Sequence, residues 1–148
     1  MNHKDVKAED ISIVPSVSFG SATIAKNLSE VVKKHWKEKG TRGNVVLLRD
    51  QYPSNYYVWK RMQEQLGENV VEIRVVERPS FKDSWTQYVL QCIDSDTILV
   101  TIPNVHWSDG SWVGIEEISR VISKKYKPKC HLVLDCTQSM GVVPFPEN

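Results

Sequence analysis

Short runs of Val, Ile and Leu alternate along this chain with longer stretches in which apolar residues recur every third or fourth position. The runs are ISIVP at 11–15, NVVLL at 44–48, NVVEIRVV at 69–76, TILVTIP at 97–103 and HLVLD at 131–135. Continuous apolar runs of this length, rich in β-branched residues, predict buried strands. Between them, residues 21–38, 54–66, 80–92 and 114–126 carry the helical spacing. In the last of these Ile115, Ile118, Val121 and Ile122 share one side, with Glu116, Glu117 and Arg120 on the other. Strands alternating with helices predict an α/β fold of three layers, a mostly parallel sheet with helices on both faces. No repeat, low-complexity tract or linker interrupts the pattern, so residues 1–148 are read as one domain.

Composition narrows the function classes. Nineteen Lys and Arg against eighteen Asp and Glu give a net charge of +1, which offers no electrostatic case for nucleic acid or an anionic membrane surface. Cys92, Cys130 and Cys136 form no C-x-x-C pair and no credible zinc set, and their odd number argues against a disulfide framework. A reduced, cytoplasmic setting is expected. The polar start MNHKDVKAED lacks the apolar core of a signal peptide, and no apolar run approaches the roughly 20 residues needed to span a bilayer. The chain is expected to be soluble. Neither G-x-G-x-x-G nor G-x-x-x-x-G-K-[ST] occurs, which disfavours a nucleotide-binding doubly wound domain.

Three places offer chemistry. In FGSATIAKNL, residues 19–28, small residues and hydroxyls introduce the first long helix. Free N–H groups and the helix dipole there can make a phosphate site, although on the residues alone Ser21 reads more readily as an ordinary cap. In DQYPSNYYVWKRM, residues 50–62, Tyr52 stands at the mouth of a strand, placed to cover a planar ligand or simply to pack. Pro53, Ser54 and Asn55 then turn the chain into a helix. The third place joins PNVHWSDGSW, residues 103–112, to the turn after Asp135. His106 and Trp107 follow a strand directly, where an α/β sheet meets substrate, while Asp109 and Gly110 make a turn. A lone loop His is more often structural than catalytic, and no second His or Cys stands at ligand spacing, so no metal is expected. Asp135 ends an apolar run, either as a cap or as the partner of a cationic ligand group, because an unpaired buried charge is costly. Gln138 follows three residues later and adds an amide that a flat heterocycle can use.

DCTQSMGVVPF resembles the Asp-x-x-Gln-Ser-x-Gly segment of class V aminotransferases, the fold-type I pyridoxal-phosphate enzymes that include cysteine desulfurases and kynureninase. VHWSDGSW, DQYPSNYYVW and SVSFGSATIAKNL extend the resemblance backward in the right order over nearly the whole chain. It implies part of the large, cofactor-binding domain of a pyridoxal-phosphate-dependent transferase or lyase acting on an amino acid. Asp135 would then face the pyridine nitrogen of pyridoxal 5'-phosphate and Gln138 its phenolic oxygen. Ala22 and Thr23 match the family's Gly-Ala-Thr phosphate cup, with Ser21 where relatives often have Gly. Tyr52 matches the aromatic residue that stacks on the ring, which is His in many cysteine desulfurases. His106 and Trp107 become candidates for the substrate side.

The lysine that forms the family's Schiff base lies after the Asp-x-x-Gln segment, and no lysine follows Asp135 in these 148 residues. Lys124, Lys125, Lys127 and Lys129 precede it and read as a solvated basic tip. By resemblance the chain is expected to be the middle of such an enzyme, truncated before its lysine and homodimeric in full-length form. The competing expectation is a noncatalytic cofactor-binding or interaction remnant of the same fold.

Overall fold

The computed structural model describes residues 6–80, 82–126 and 128–143. In chain order it forms α1 (Val17–Lys39), β1 (Gly43–Leu48), α2 (Pro53–Leu66), β2 (Val71–Val76), α3 (Trp85–Gln91), β3 (Thr97–Pro103), α4 (Ile115–Val121) and β4 (His131–Asp135). A π-helical turn, Ile122–Tyr126, continues α4. The four strands make one parallel sheet in the order β2-β1-β3-β4.

Every residue of β1 and β3 is buried, which is what a parallel strand covered on both faces requires. Side chains alternate between two cores. Val45, Leu47 and Leu99 face Ala25, Leu28 and Val32 of α1 and Trp59 and Met62 of α2. On the other face Val46, Leu48, Val100 and Ile102 meet Trp85 and Val89 of α3 and Ile115 and Ile118 of α4. The three-layer α/β architecture expected from the sequence is therefore present. At about 1.5–3 kcal/mol for each fully buried large apolar side chain, these two faces supply the main force holding the layers together.

The run ISIVP departs from expectation. Residues 11–15 form no strand, and Ile11 and Ile13 are exposed, the latter completely at 101%. An apolar run becomes a strand only where a neighbour supplies its ladder hydrogen bonds, and no described strand pairs with this one.

Helix boundaries follow local capping rather than apolar spacing alone. α1 starts four residues before the predicted boundary because Ser16 Oγ accepts the Phe19 N–H at 3.1 Å. It ends at Gly40, whose φ of 67° closes the last turn. α3 starts at residue 85 rather than 80, where Ser84 and Gln87 cap each other's backbone N–H groups. Lys124, Lys125 and Lys129 are exposed before β4, as expected of a basic tip, and Lys127 lies outside the described residues. Among the described residues no helix is long and apolar enough to cross a membrane.

The N-terminal edge of the sheet is tied by one carboxylate. Asp94 accepts from Arg74 Nη1 of β2 at 2.6 Å, from Asn44 Nδ2 of β1 at 3.0 Å and from the Asp96 N–H at 2.9 Å. Burial pushes the Asp94 carboxyl up, but these donors outweigh it and bring the pKa from 3.8 to about 2. A depressed folded-state pKa contributes stability above the unfolded value, and that contribution is lost as pH falls through the folded value. Urea titrations across the acid range should therefore show Asp94→Asn less stable than the parent near neutrality and less sensitive to acid between about pH 4 and pH 2. Parallel acid profiles for the two proteins would remove Asp94 from this role.

Candidate functional site

The strand order creates a crevice. From central β1 the chain passes through α2 to β2 on one side, and from there through α3 to β3 on the other, with α2 and α3 on opposite faces. Connections that diverge in this way leave a gap beyond the C-terminal ends of the two central strands. A cleft of about 270 Å³ lies there. Its walls are Gln51, Tyr52 and Asn55 after β1, Val105 and Trp107 after β3, and Asp135, Thr137 and Gln138 after β4. Register sets the depth at which Asp135 stands, because it pairs with Pro103 at the last rung of the β3–β4 ladder.

Asp135 is half-buried and held by neutral donors. Asn55 Nδ2, in the first turn of α2, donates to one oxygen, and the Thr137 N–H donates to the other at 3.0 Å, joined by the Thr137 hydroxyl. Burial raises the carboxyl's pKa, but the hydrogen bonds from Thr137 and Asn55 overcome it and leave Asp135 below its ordinary value. Among the described residues no cation is one of the groups holding it charged. The cleft thus contains an ionised carboxylate whose hydrogen bonds are provided and whose charge is left for a ligand.

The aromatic wall is tied to the backbone below it. Tyr52 meets Trp107 edge to face, with centroids 5.3 Å apart and planes at 89°. Trp107 Nε1–H donates to the Asp50 carbonyl at 2.7 Å. Its neighbour His106 corrects the sequence expectation of a substrate-side residue. The imidazole is fully buried, stacked on Trp85 at 5.3 Å with planes 2° apart, and does not line the cleft. Nε2 faces the Arg49 carbonyl at 3.0 Å, which requires a proton on that nitrogen, while Nδ1 accepts from Ser108 Oγ at 3.0 Å. His106 therefore braces the floor, and Trp107 alone of the pair reaches the cleft.

Ala22 and Thr23 require a second correction. With α1 starting at Val17, both sit inside the helix, where backbone N–H groups are spent on carbonyls four residues back. The Thr23 hydroxyl donates to the Phe19 carbonyl at 2.9 Å, and neither residue lines the cleft. Ser21 is buried along the helix and caps nothing, and the free N–H groups of the helix start lie at residues 17–19 and not at 22–23. Val17, in the first turn, is the part of α1 that borders the cleft.

Tyr52, Trp107, Asp135 and Gln138 are thus brought together, with Gln138 exposed on the turn after β4. Sequence reasoning missed Asn55, Gln51 and Ser139. Asn55 looked like a turn residue, although a polar side chain in the first turn of a helix directly after a central strand is a signal for this edge. Ser139 is buried and donates to Asn104 Oδ1 at 2.5 Å, tying the Gln138 turn to the loop after β3.

The chain is similar to several known proteins. The chain is 27% identical over 137 residues to the uncharacterized aminotransferase YcbU of Bacillus subtilis, covering 93% of this chain and 32% of that protein. It is 21% identical over 129 residues to kynureninase of Scheffersomyces stipitis, covering 83% of this chain and 27% of the enzyme. The chain therefore spans about a third or less of the length of these curated relatives. Two solved structures of C-DES share the fold. One is a complex of this cystine C–S lyase with its reaction product cysteine persulfide, with a TM-score of 0.58 at 14% identity over 89% of this chain and 46% of that one. The other is a mutant with glycine covalently linked to the PLP cofactor, with a TM-score of 0.56 at 11% identity over 86% and 45%. The family model described as aminotransferase class-V matches residues 17–146, a span that runs from the first turn of α1 through the Asp135 turn, and the chain belongs to that family.

Proposed function

We propose that this chain forms the cofactor-binding part of a pyridoxal-phosphate-dependent transferase or lyase that acts on an amino acid. The observation that carries the reading is Asp135, a carboxylate kept ionised by Asn55 and Thr137, with no cation holding it among the described residues, at the open end of β4. Family membership and the PLP-bearing C-DES structure support it.

The residues of the cleft fit the cofactor. A protonated pyridine is a flat cation, and the cleft offers one fixed anion beside an aromatic pair. Bound pyridoxal phosphate supplies a ring that takes up the negative charge developing at the α-carbon of an amino acid. Asp135 would hold the proton at the pyridine nitrogen, with Asn55 and Thr137 orienting the carboxylate. Tyr52 and Trp107 would cover the ring and keep water from it, while Gln138 would offer its amide to the phenolic oxygen. His106 fixes the floor through Arg49 without reaching the ligand.

Two outcomes test this reading. Fluorescence titration should show pyridoxal phosphate binding the full chain, and Asp135→Asn should weaken it by about ten- to a hundredfold, the worth of a charge-assisted hydrogen bond. Equal affinity in the variant would take Asp135 out of the site. The pH dependence has a defined sign. Because the Asp135 pKa lies below its ordinary value, affinity should hold through neutrality and fall only in acid, as pH drops through that depressed pKa. Asn55→Ala removes one donor that lowers the pKa, so the acid limb should move to higher pH, with the apo melting temperature as a control for folding. An unmoved limb would show that Asn55 does not tune the carboxylate.

A further inference from the structure

Gln51 stands at the floor of the cleft with half of its amide committed. Its side chain is 7% exposed, and Oε1 accepts the Leu48 N–H at 2.9 Å. That bond fixes which end of the amide is oxygen, because a backbone N–H can only be met by an acceptor. Nε2 is thereby left buried and has no hydrogen-bond partner among the described residues. A buried donor without an acceptor costs about 1–3 kcal/mol, which an oxygen on a ligand recovers.

The surroundings make this donor a fixed feature. The Arg49 and Asp50 carbonyls, just before Gln51, are clamped by His106 Nε2–H and Trp107 Nε1–H, and Pro53 opens α2 just after it. Asp50 itself is held at a φ of 56°, so the backbone here follows a special path. The other buried amide of the cleft, Asn55, is spent on Asp135, as is the Thr137 hydroxyl. Among the described residues that line the cleft, Gln51 Nε2 is the buried side-chain donor left without a partner, and Asp135 lines the same cleft.

We infer that Gln51 is a binding residue whose Nε2–H donates to an oxygen acceptor of the molecule in the cleft. The cleft then selects a ligand that presents a cationic N–H to Asp135 and an oxygen to Gln51. That oxygen belongs either to pyridoxal phosphate or to the carboxylate of an amino acid bound beside it. The inference deepens the cofactor reading and rests on it for the identity of the ligand, while the donor stands on its own geometry.

The test is a titration of the ¹⁵N-labelled full chain in which the Gln51 side-chain amide signal is followed and assigned by its loss in Gln51→Glu. That variant keeps an oxygen for Leu48 N–H and replaces the donor with an acceptor, and its melting temperature reports folding. The probes are pyridoxal phosphate, L-alanine added to the pyridoxal-phosphate-saturated chain, and L-alanine or inorganic phosphate alone. If the oxygen is the cofactor's, pyridoxal phosphate shifts the signal and Gln51→Glu, at mildly alkaline pH, weakens its binding about tenfold or more. If it is the substrate's, L-alanine shifts the signal in the saturated chain, and the variant loses alanine affinity while keeping that for pyridoxal phosphate. A signal that responds to alanine or phosphate in a chain that does not bind pyridoxal phosphate keeps Gln51 as a binding residue and ends the cofactor reading. A signal unmoved by every probe, or a variant that binds each as tightly as the parent, overturns the inference.

Discussion

The hydrogen bond from Asn55 to Asp135 joins residues 80 positions apart, and the cleft depends on it. It spans from the first turn of α2 to the end of β4, across the central strands. Because the donor is neutral, it satisfies the carboxylate without cancelling its charge. A lysine or arginine in the same place would stabilise the carboxylate as well, but would consume the attraction that a cationic ligand needs. A hydrophobic residue there would leave a half-buried charge short of a partner, and burial would push its pKa up. An amide is the side chain that keeps Asp135 ionised and still unpaired.

The two edges of the sheet use carboxylates differently for this reason. At the N-terminal edge Asp94 is paired with Arg74, its charge neutralised where strands β1, β2 and the turn into β3 meet. At the C-terminal edge Asp135 has two neutral partners and faces a cavity. Both carboxyls are shifted in the same direction, so the shift alone does not distinguish a structural brace from a binding group. The identity of the partners does.

Much of the architecture was legible in the sequence. The spans of β3 and β4 were read to the residue because an apolar run bounded by polar turns has one comfortable place in a parallel sheet. ISIVP was misread because its composition matches a strand while pairing is a property of neighbours. The start of α1 was misread because Gly20, Ser21 and Thr23 suggest a helix N-terminus as strongly as Ser16 does, and only geometry shows which hydroxyl meets a free N–H. That four-residue shift places Ala22 and Thr23 in the second turn of α1 and not at its start. Asp135, Gln138, Tyr52 and Trp107 lie at strand ends, where position alone suggests a ligand. Asn55 acts through a partner 80 positions away that sequence order does not reveal, and His106 carried a misleading cue, since a histidine beside the cleft and one beneath it occupy the same place along the chain.

That buried histidine also explains how the loop after β1 keeps its shape. Asp50 adopts a left-handed backbone that costs about 1 kcal/mol outside glycine, although aspartate tolerates it better than most residues. Two hydrogen bonds, from His106 to Arg49 and from Trp107 to Asp50, are each worth about 1 kcal/mol and together offset that strain. The pair comes from consecutive residues of one loop and grips consecutive carbonyls of the other, so neither loop can shift without breaking both bonds. Stacking on Trp85 fixes the ring plane of His106, and Arg78 lies over the same indole at 5.6 Å while pairing with Asp109. The path from the second core to the cleft thus runs through Trp85, His106 and the Arg49 carbonyl. Rigidity at Tyr52 and Gln51 is drawn from the buried face of the sheet, and the cleft is held in shape before any ligand arrives.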